Sequence, residues 1–330
     1  MQSRIDILKP FLRKYYDKIV LCTGMFINRN PNSIHFINTL IDRNNINICN
    51  LSHNPAAIPY LVQNPEKINW KNLCSNTHPL AINMIEHILD NPQLRRKITL
   101  DWKFLCRNPS AGRLFYKHID KLDWSSLSEN SCTEAVELLL NNPENIDWWY
   151  LSYNESTEII KLLEQNISKI NRGGISKNSN PRAVQLLRTY PHLIVWERLC
   201  CNTSMEAIDI LKENLDNILW YSFSSNPSGI ELIEGNLDKV HVDQLCENTA
   251  AMHLLEPYLD SLKIIPDDLL EILSRNSEIF ISDEFVELDS SIPSTVLNYF
   301  DRQVPIRHFV NTLKPCDFEY QVNRWFGGIF

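Results

Sequence analysis

An asparagine recurs along this chain at a nearly fixed interval, and no other feature restricts the fold as much. It stands at Asn30, Asn54, Asn76, Asn108, Asn130, Asn154, Asn178, Asn202, Asn226, Asn248 and Asn276, with spacings of 24, 22, 32, 22, 24, 24, 24, 24, 22 and 28 residues. Self-similarity at a short, nearly constant period is the mark of a stacked array of small supersecondary units.

The residues around each asparagine say what the unit is. Three positions earlier the residue is always apolar, for example Leu105, Leu127, Leu151 and Phe223. Two positions earlier it is serine or cysteine in every copy but the first, which has Asn28. Six positions earlier stand Trp70, Trp102, Trp124, Trp148, Trp196 and Trp220. Tryptophan, leucine and the small residue are thus related as i, i+3 and i+4, one face of a helix. The small residue lets a neighbour approach. Such a helix has barely two turns and can persist only if its neighbours hold it.

After the asparagine a second helix is expected, in two forms. In the short form a small residue follows at the third position (Ala57, Ala111, Gly229, Ala251). In the long form two residues are inserted, the corresponding positions are Ala135, Ile159, Ala183 and Ala207, and the expected N-caps are Thr133, Thr157, Asn180 and Ser204. The second helix should stop at another asparagine (Asn64, Asn91, Asn142, Asn166, Asn214, Asn236) by a left-handed turn, with a short loop leading to the next tryptophan. The recurrent asparagine itself has two candidate roles: capping its own helix, or bonding the backbone of an adjacent turn in a ladder along the array.

The expected architecture is therefore all-α: an α-solenoid of about eleven two-helix repeats of 22–24 residues with N- and C-terminal helical caps. Residues 1–20 read as the N-terminal capping helix, 21–280 as the solenoid and 281–330 as a helical C-terminal cap. Eleven layers at roughly 9 Å each give a path about 100 Å long. Four cysteines, Cys74, Cys106, Cys200 and Cys246, share the small-residue position, which points to reduced buried thiols.

The sentence carried by Ile68–Asn76, Leu122–Asn130 with Ala135–Ile146, Ile146–Asn154, and Ile194–Asn202 with Ala207–Ile218 resembles short tandem repeats abundant in giant DNA viruses of the mimivirus and related groups. The resemblance covers roughly residues 20–280. It implies an all-helical array of viral origin acting in the host cytoplasm or the virion, and it implies no activity. Gly24, Ile48, Arg172, Val242 and Leu270 depart from it where tryptophan is expected.

No phosphate-binding glycine loop, nucleophile elbow or paired-histidine metal motif is present, so no catalytic residue, cofactor or metal ligand is assigned. No run of eighteen apolar residues suggests a membrane span. A formal charge of −8 with mixed signs disfavours nucleic acid as the partner. The expected function is a non-catalytic protein–protein interaction scaffold, with an RNA-binding repeat protein as the alternative. Candidate partner-binding residues are the cations Arg172, Lys177, Arg182 and Arg188, beside a copy whose missing tryptophan is expected to loosen a hinge, and the apolar tail residues Trp325, Phe326 and Phe330.

Overall fold

The structure is a computed structural model and describes residues 8–19, 48–262 and 264–279. The expected C-terminal cap, 281–330, lies outside them. Among the described residues all regular structure is helical, and short helices stack layer on layer as the sequence period requires. Helices equivalent by one period pack side by side, tryptophan helix against tryptophan helix and second helix against second helix.

The Asn154 repeat shows how the local sequence builds each layer. Asp147 closes the start of the helix Trp148–Leu151, its carboxylate accepting from the Trp149 and Tyr150 amides at 3.0 and 3.4 Å. Asn69, Asp101, Asp123 and Asn171 do the same in their copies. Leu151 and Ser152 are fully buried, while Trp148 is half-buried against the core. The second helix, Thr157–Glu164, buries Ile159, Ile160 and Leu163 between layers. All but two of the buried apolar residues form one continuous cluster from Leu8 to Ile279, with Ile88 and Leu94 in a small cluster of their own.

Three local expectations are corrected. The closing asparagines are not left-handed: Asn64, Asn142, Asn166, Asn214 and Asn236 have φ between −131° and −142°, and Asn91 has φ −102°. The first five instead donate the side-chain amide to the carbonyl four residues back, at 2.8–2.9 Å, which satisfies one orphaned carbonyl of the ending helix. Asn91 caps the following helix Pro92–Lys97, accepting from the Gln93 and Leu94 amides. The linking segment is a turn of 3-10 helix, not a loop, as in Pro143–Asn145 and Leu215–Asn217. Thr133 and Thr157 are first helical residues, whereas Asn180 and Ser204 do cap, accepting from the Arg182 and Ala207 amides.

The anchor asparagine performs both candidate roles at once. Its side-chain oxygen accepts from the amide two residues on, as Asn154 does from Ser156 at 3.0 Å. Its side-chain nitrogen reaches into the preceding layer. Asn154 donates to the carbonyls of Ser128 and Asn130 at 3.0 and 2.8 Å, and Asn178 donates to Ser152 and Asn154 at 3.2 and 2.9 Å. The same double donation runs through Asn108, Asn130, Asn202, Asn226, Asn248 and Asn276. The small residue contributes a second tie. Ser128, Ser152, Ser176 and Ser224 accept the amide that opens the next tryptophan helix, at 2.8–3.1 Å, and the Cys74 and Cys200 sulfurs do so at 3.4 Å.

One copy exchanges volume between two positions. Phe223 stands where other repeats have leucine or isoleucine, and Gly229 where other short copies have alanine. A Cβ on Gly229 would lie 2.3 Å from the Phe223 ring. The large ring fits only because the next small position is empty.

The N-terminal segment packs where its sequence position does not suggest. Residues 8–19, including the 3-10 helix Pro10–Tyr15, bury Leu8, Phe11, Leu12 and Ile19 in the common core. Their ties are to the far end of the array: the Lys9 amide donates to the Ile279 carbonyl at 3.0 Å, the Ile265 amide to the Tyr15 hydroxyl at 2.7 Å, and Lys18 pairs with Asp267. This part of the expected N-terminal cap covers the C-terminal repeat.

Two outcomes follow. Gly229→Ala should destabilise by about 1–3 kcal/mol in urea denaturation through overpacking, and adding Phe223→Leu should recover most of the loss. Leu12→Ala should raise amide exchange at 265–279 far more than at 51–76; equal changes at both ends would contradict the placement.

Candidate partner-binding face

Charges on the two sides of the array are met to different degrees. On the second helices several cations find acids in an adjacent layer, though Lys161 makes no ion pair among the described residues. Arg113 and Lys117 each reach Glu86 at 3.0 Å, Arg182 grips Glu164 with two bonds of 2.6 Å, and Arg188 grips Glu213 at 2.8 and 3.0 Å. These pairs are largely exposed and each is worth at most about 1 kcal/mol, but they occupy the cations. On the tryptophan helices Lys71, Lys103, Lys177 and Arg198 are exposed and make no ion pair among the described residues.

The tryptophan helices line the inner side of a curve. The residue just before the anchor of one repeat meets the third residue of the tryptophan helix two repeats on. His53 contacts Phe104 edge to face at 5.8 Å, and the Arg107 guanidinium lies 5.4 Å from the Tyr150 ring centre. With layers roughly 9 Å apart, a contact across two layers requires them to converge on that side. Neighbouring layers touch in the same row: His53 with Ser75, Arg107 with Glu129 at 3.3 Å, and Arg275 with Glu247 at 3.0 Å.

The structure separates the four candidate cations. Arg172 and Lys177 lie on the tryptophan-type helix Arg172–Lys177, on or beside the inner face. Arg182 and Arg188 lie on Pro181–Thr189 and are held by Glu164 and Glu213. They do not form one patch. Trp325, Phe326 and Phe330 lie outside the described residues. The expected hinge is not seen as a break in the ladder, which passes through Asn178 without interruption. Gly174 explains why: a Cβ there would sit 2.8 Å from that of Ser152, so the missing side chain lets the helix close on its neighbour.

An open hollow, or notch, of about 390 Å³ in the altered repeat is lined by Trp149, Lys169, Ile170, Asn171, Arg172 and Gly173. A hollow of about 540 Å³ lies at the equivalent place in a copy that keeps its tryptophan, beside Lys71, Trp102 and Lys103, so the altered repeat is set apart by its exposed Trp149 and not by the opening itself. Trp149 is 61% exposed, the most exposed aromatic among the described residues. The Arg172 guanidinium donates to the Ile194 carbonyl at 3.2 Å, and Lys169 covers the Trp148 ring at 4.2 Å. A Cβ on Gly173 would lie 3.9 Å from both the Tyr153 hydroxyl and Arg198 Cγ, so the notch joins the row of inner-face side chains.

Sequence reasoning missed the inner row: His53, Phe104, Arg107, Trp149, Tyr150, Tyr153, Arg198 and Tyr221. A signal existed, since these occupy the variable positions of the tryptophan helix. The spacing of Arg188 from Glu213, 25 residues, is close to one period and gave a hint of their pairing, whereas the 18 residues between Arg182 and Glu164 gave none. Among the described residues there is no cluster of three or more metal-ligating side chains and no helix long and apolar enough to cross a membrane. No family model, curated protein or solved structure matches this chain.

Burial sets the titration behaviour. It pushes the Cys74, Cys106 and Cys246 thiols up to about 12 and Cys200 up to about 11. It lowers His53, His78, His87 and His118 from 6.5. The raised thiols contribute stability that is present below the unfolded value of 9.0 and lost as pH climbs towards 12. The lowered imidazoles contribute stability that is present above pH 6.5 and lost as pH falls below it. The urea midpoint should therefore hold a plateau between about pH 7 and 9 and fall on both sides, with acid-side exchange rising first in residues 53–118. A midpoint unchanged from pH 7 to 5 would contradict the burial of these rings.

Proposed function

We propose that this chain is a non-catalytic scaffold that holds a protein partner against the inner face of its tryptophan helices. One observation carries the reading: asparagine, serine or cysteine, and a large apolar residue are spent on stacking in each described layer, while the inner-face positions vary and leave Lys71, Lys103, Lys177 and Arg198 exposed without an ion pair among the described residues. A rigid array that varies only on its surface is suited to recognition. Such surfaces recruit through charge complementarity and a few aromatic anchors. A setting in a viral assembly or other multiprotein complex, in the host cytoplasm or virion, is the part of this proposal that rests on the repeat resemblance alone.

RNA binding is the second reading, because unpaired cations interleaved with aromatics also suit a single strand. Against it stand Asp101, Asp123 and Asp147 at the helix starts, Glu197 and Asp243 on the same helices, and the net charge of −8.

Affinity capture of the full chain from expressing cells, with and without nuclease, tests the proposal. Protein partners should survive nuclease, be lost with Lys103→Glu plus Arg198→Glu, and be kept with Arg182→Glu. Retention by the first variant, or loss of every partner with nuclease, would overturn it.

A further inference from the structure

The chemistry of the occupant follows from the charge of the inner face and the shape of its notch. Resting on the reading of that face as the binding surface, we infer that it takes an extended protein segment with acidic side chains flanking one aromatic or large aliphatic residue.

Charge supplies the first argument. Arg113, Lys117, Arg182 and Arg188 have met acids in an adjacent layer, and Arg107 and Arg275 do so within the inner row, whereas Lys71, Lys103, Lys177 and Arg198 have none among the described residues. These exposed cations are complementary to carboxylates brought from outside.

The notch supplies the second. About 390 Å³ stay open here beside a largely exposed indole, whereas the equivalent hollow of about 540 Å³ at Trp102 and Lys103 has Lys71 where this one has Trp149. Trp149 and Ile170 offer an apolar wall, and Lys169 and Arg172 stand at the rim. An aromatic side chain entering there stacks on Trp149 while its flanking acids face cations, the anchor-and-rim arrangement of a binding hot spot.

Spacing decides between an acidic peptide and a nucleic acid. The cations are interrupted by Glu129 and Glu197 and by the capping aspartates. A phosphate backbone carries charge at every step and would meet those carboxylates. A peptide places its acids only where cations wait. Lys103 to Arg198 covers four repeat steps, about 36 Å at roughly 9 Å each, which an extended segment of about eleven residues spans.

Fluorescence anisotropy tests this on the full chain. The probe is a labelled twelve-residue peptide, rich in Glu and Asp with one central Trp. Its controls replace the acids by amides or the Trp by Ser, and a twelve-nucleotide single-stranded RNA is measured alongside. The acidic peptide should bind in the micromolar range and weaken about tenfold between low and 0.3 M salt. The amide peptide, Trp149→Ala and Gly173→Gln should each lower affinity by about fivefold or more, with Tm unchanged or raised for Gly173→Gln, because glutamine favours helix over glycine. Arg182→Glu should bind as wild type.

Equal binding of the amide peptide, tighter binding of the RNA, or full affinity in Gly173→Gln would overturn the inference. If Lys103→Glu plus Arg198→Glu releases the cellular partner but the acidic peptide does not compete with it, the inner face remains the binding surface and the acidic occupant is refuted.

Discussion

A helix of four to six residues ends before its last carbonyls can find partners along its own backbone. Here those carbonyls are buried, at Ser128 and Asn130, Ser152 and Asn154, and onward through the array, where an unmet polar group costs about 1–3 kcal/mol. The side-chain amide from the next layer meets two of them, and its oxygen caps the turn that follows. A carboxamide combines an acceptor with two donors on one planar group, which no hydroxyl or carboxylate of similar size does. That requirement fixes asparagine and makes each layer depend on the one before it. The period, the small residue beside it and the unbroken passage of the ladder through the altered copy at Asn178 follow from this dependence.

Much of the fold was legible because these constraints are local in sequence. Ten anchors from Asn54 to Asn276 fall where the spacing puts them, and the i+3 and i+4 residues are buried with the tryptophans half-buried against them. The closing asparagines were read by type and not by geometry: an amide can end a helix by bonding backward at negative φ, and composition does not distinguish that from a left-handed turn. The ladder was one of two readings because capping and cross-linking use different atoms of one side chain. Coordinates were needed to show both in use.

The candidate site was less legible. Four cations close in sequence were grouped, yet two sit on a tryptophan-type helix and two on the following helix, which faces another direction and meets Glu164 and Glu213. Curvature is a property of many layers, and only contacts such as His53 with Phe104 reveal which side is concave. The meeting of residues 8–19 with 265–279 joins positions some 250 residues apart, beyond any periodic argument.

The account stands on the amide nitrogen of the anchor, and Asn154→Asp isolates it. Aspartate keeps the acceptor that caps toward Ser156 and removes both donations to Ser128 and Asn130. Urea denaturation at pH 7 should show Asn154→Asp to be at least as destabilised as Asn154→Ala, by about 2 kcal/mol or more. Stability within about 0.5 kcal/mol of the parent would make the asparagine a cap alone, and the ladder would not be what holds the layers together.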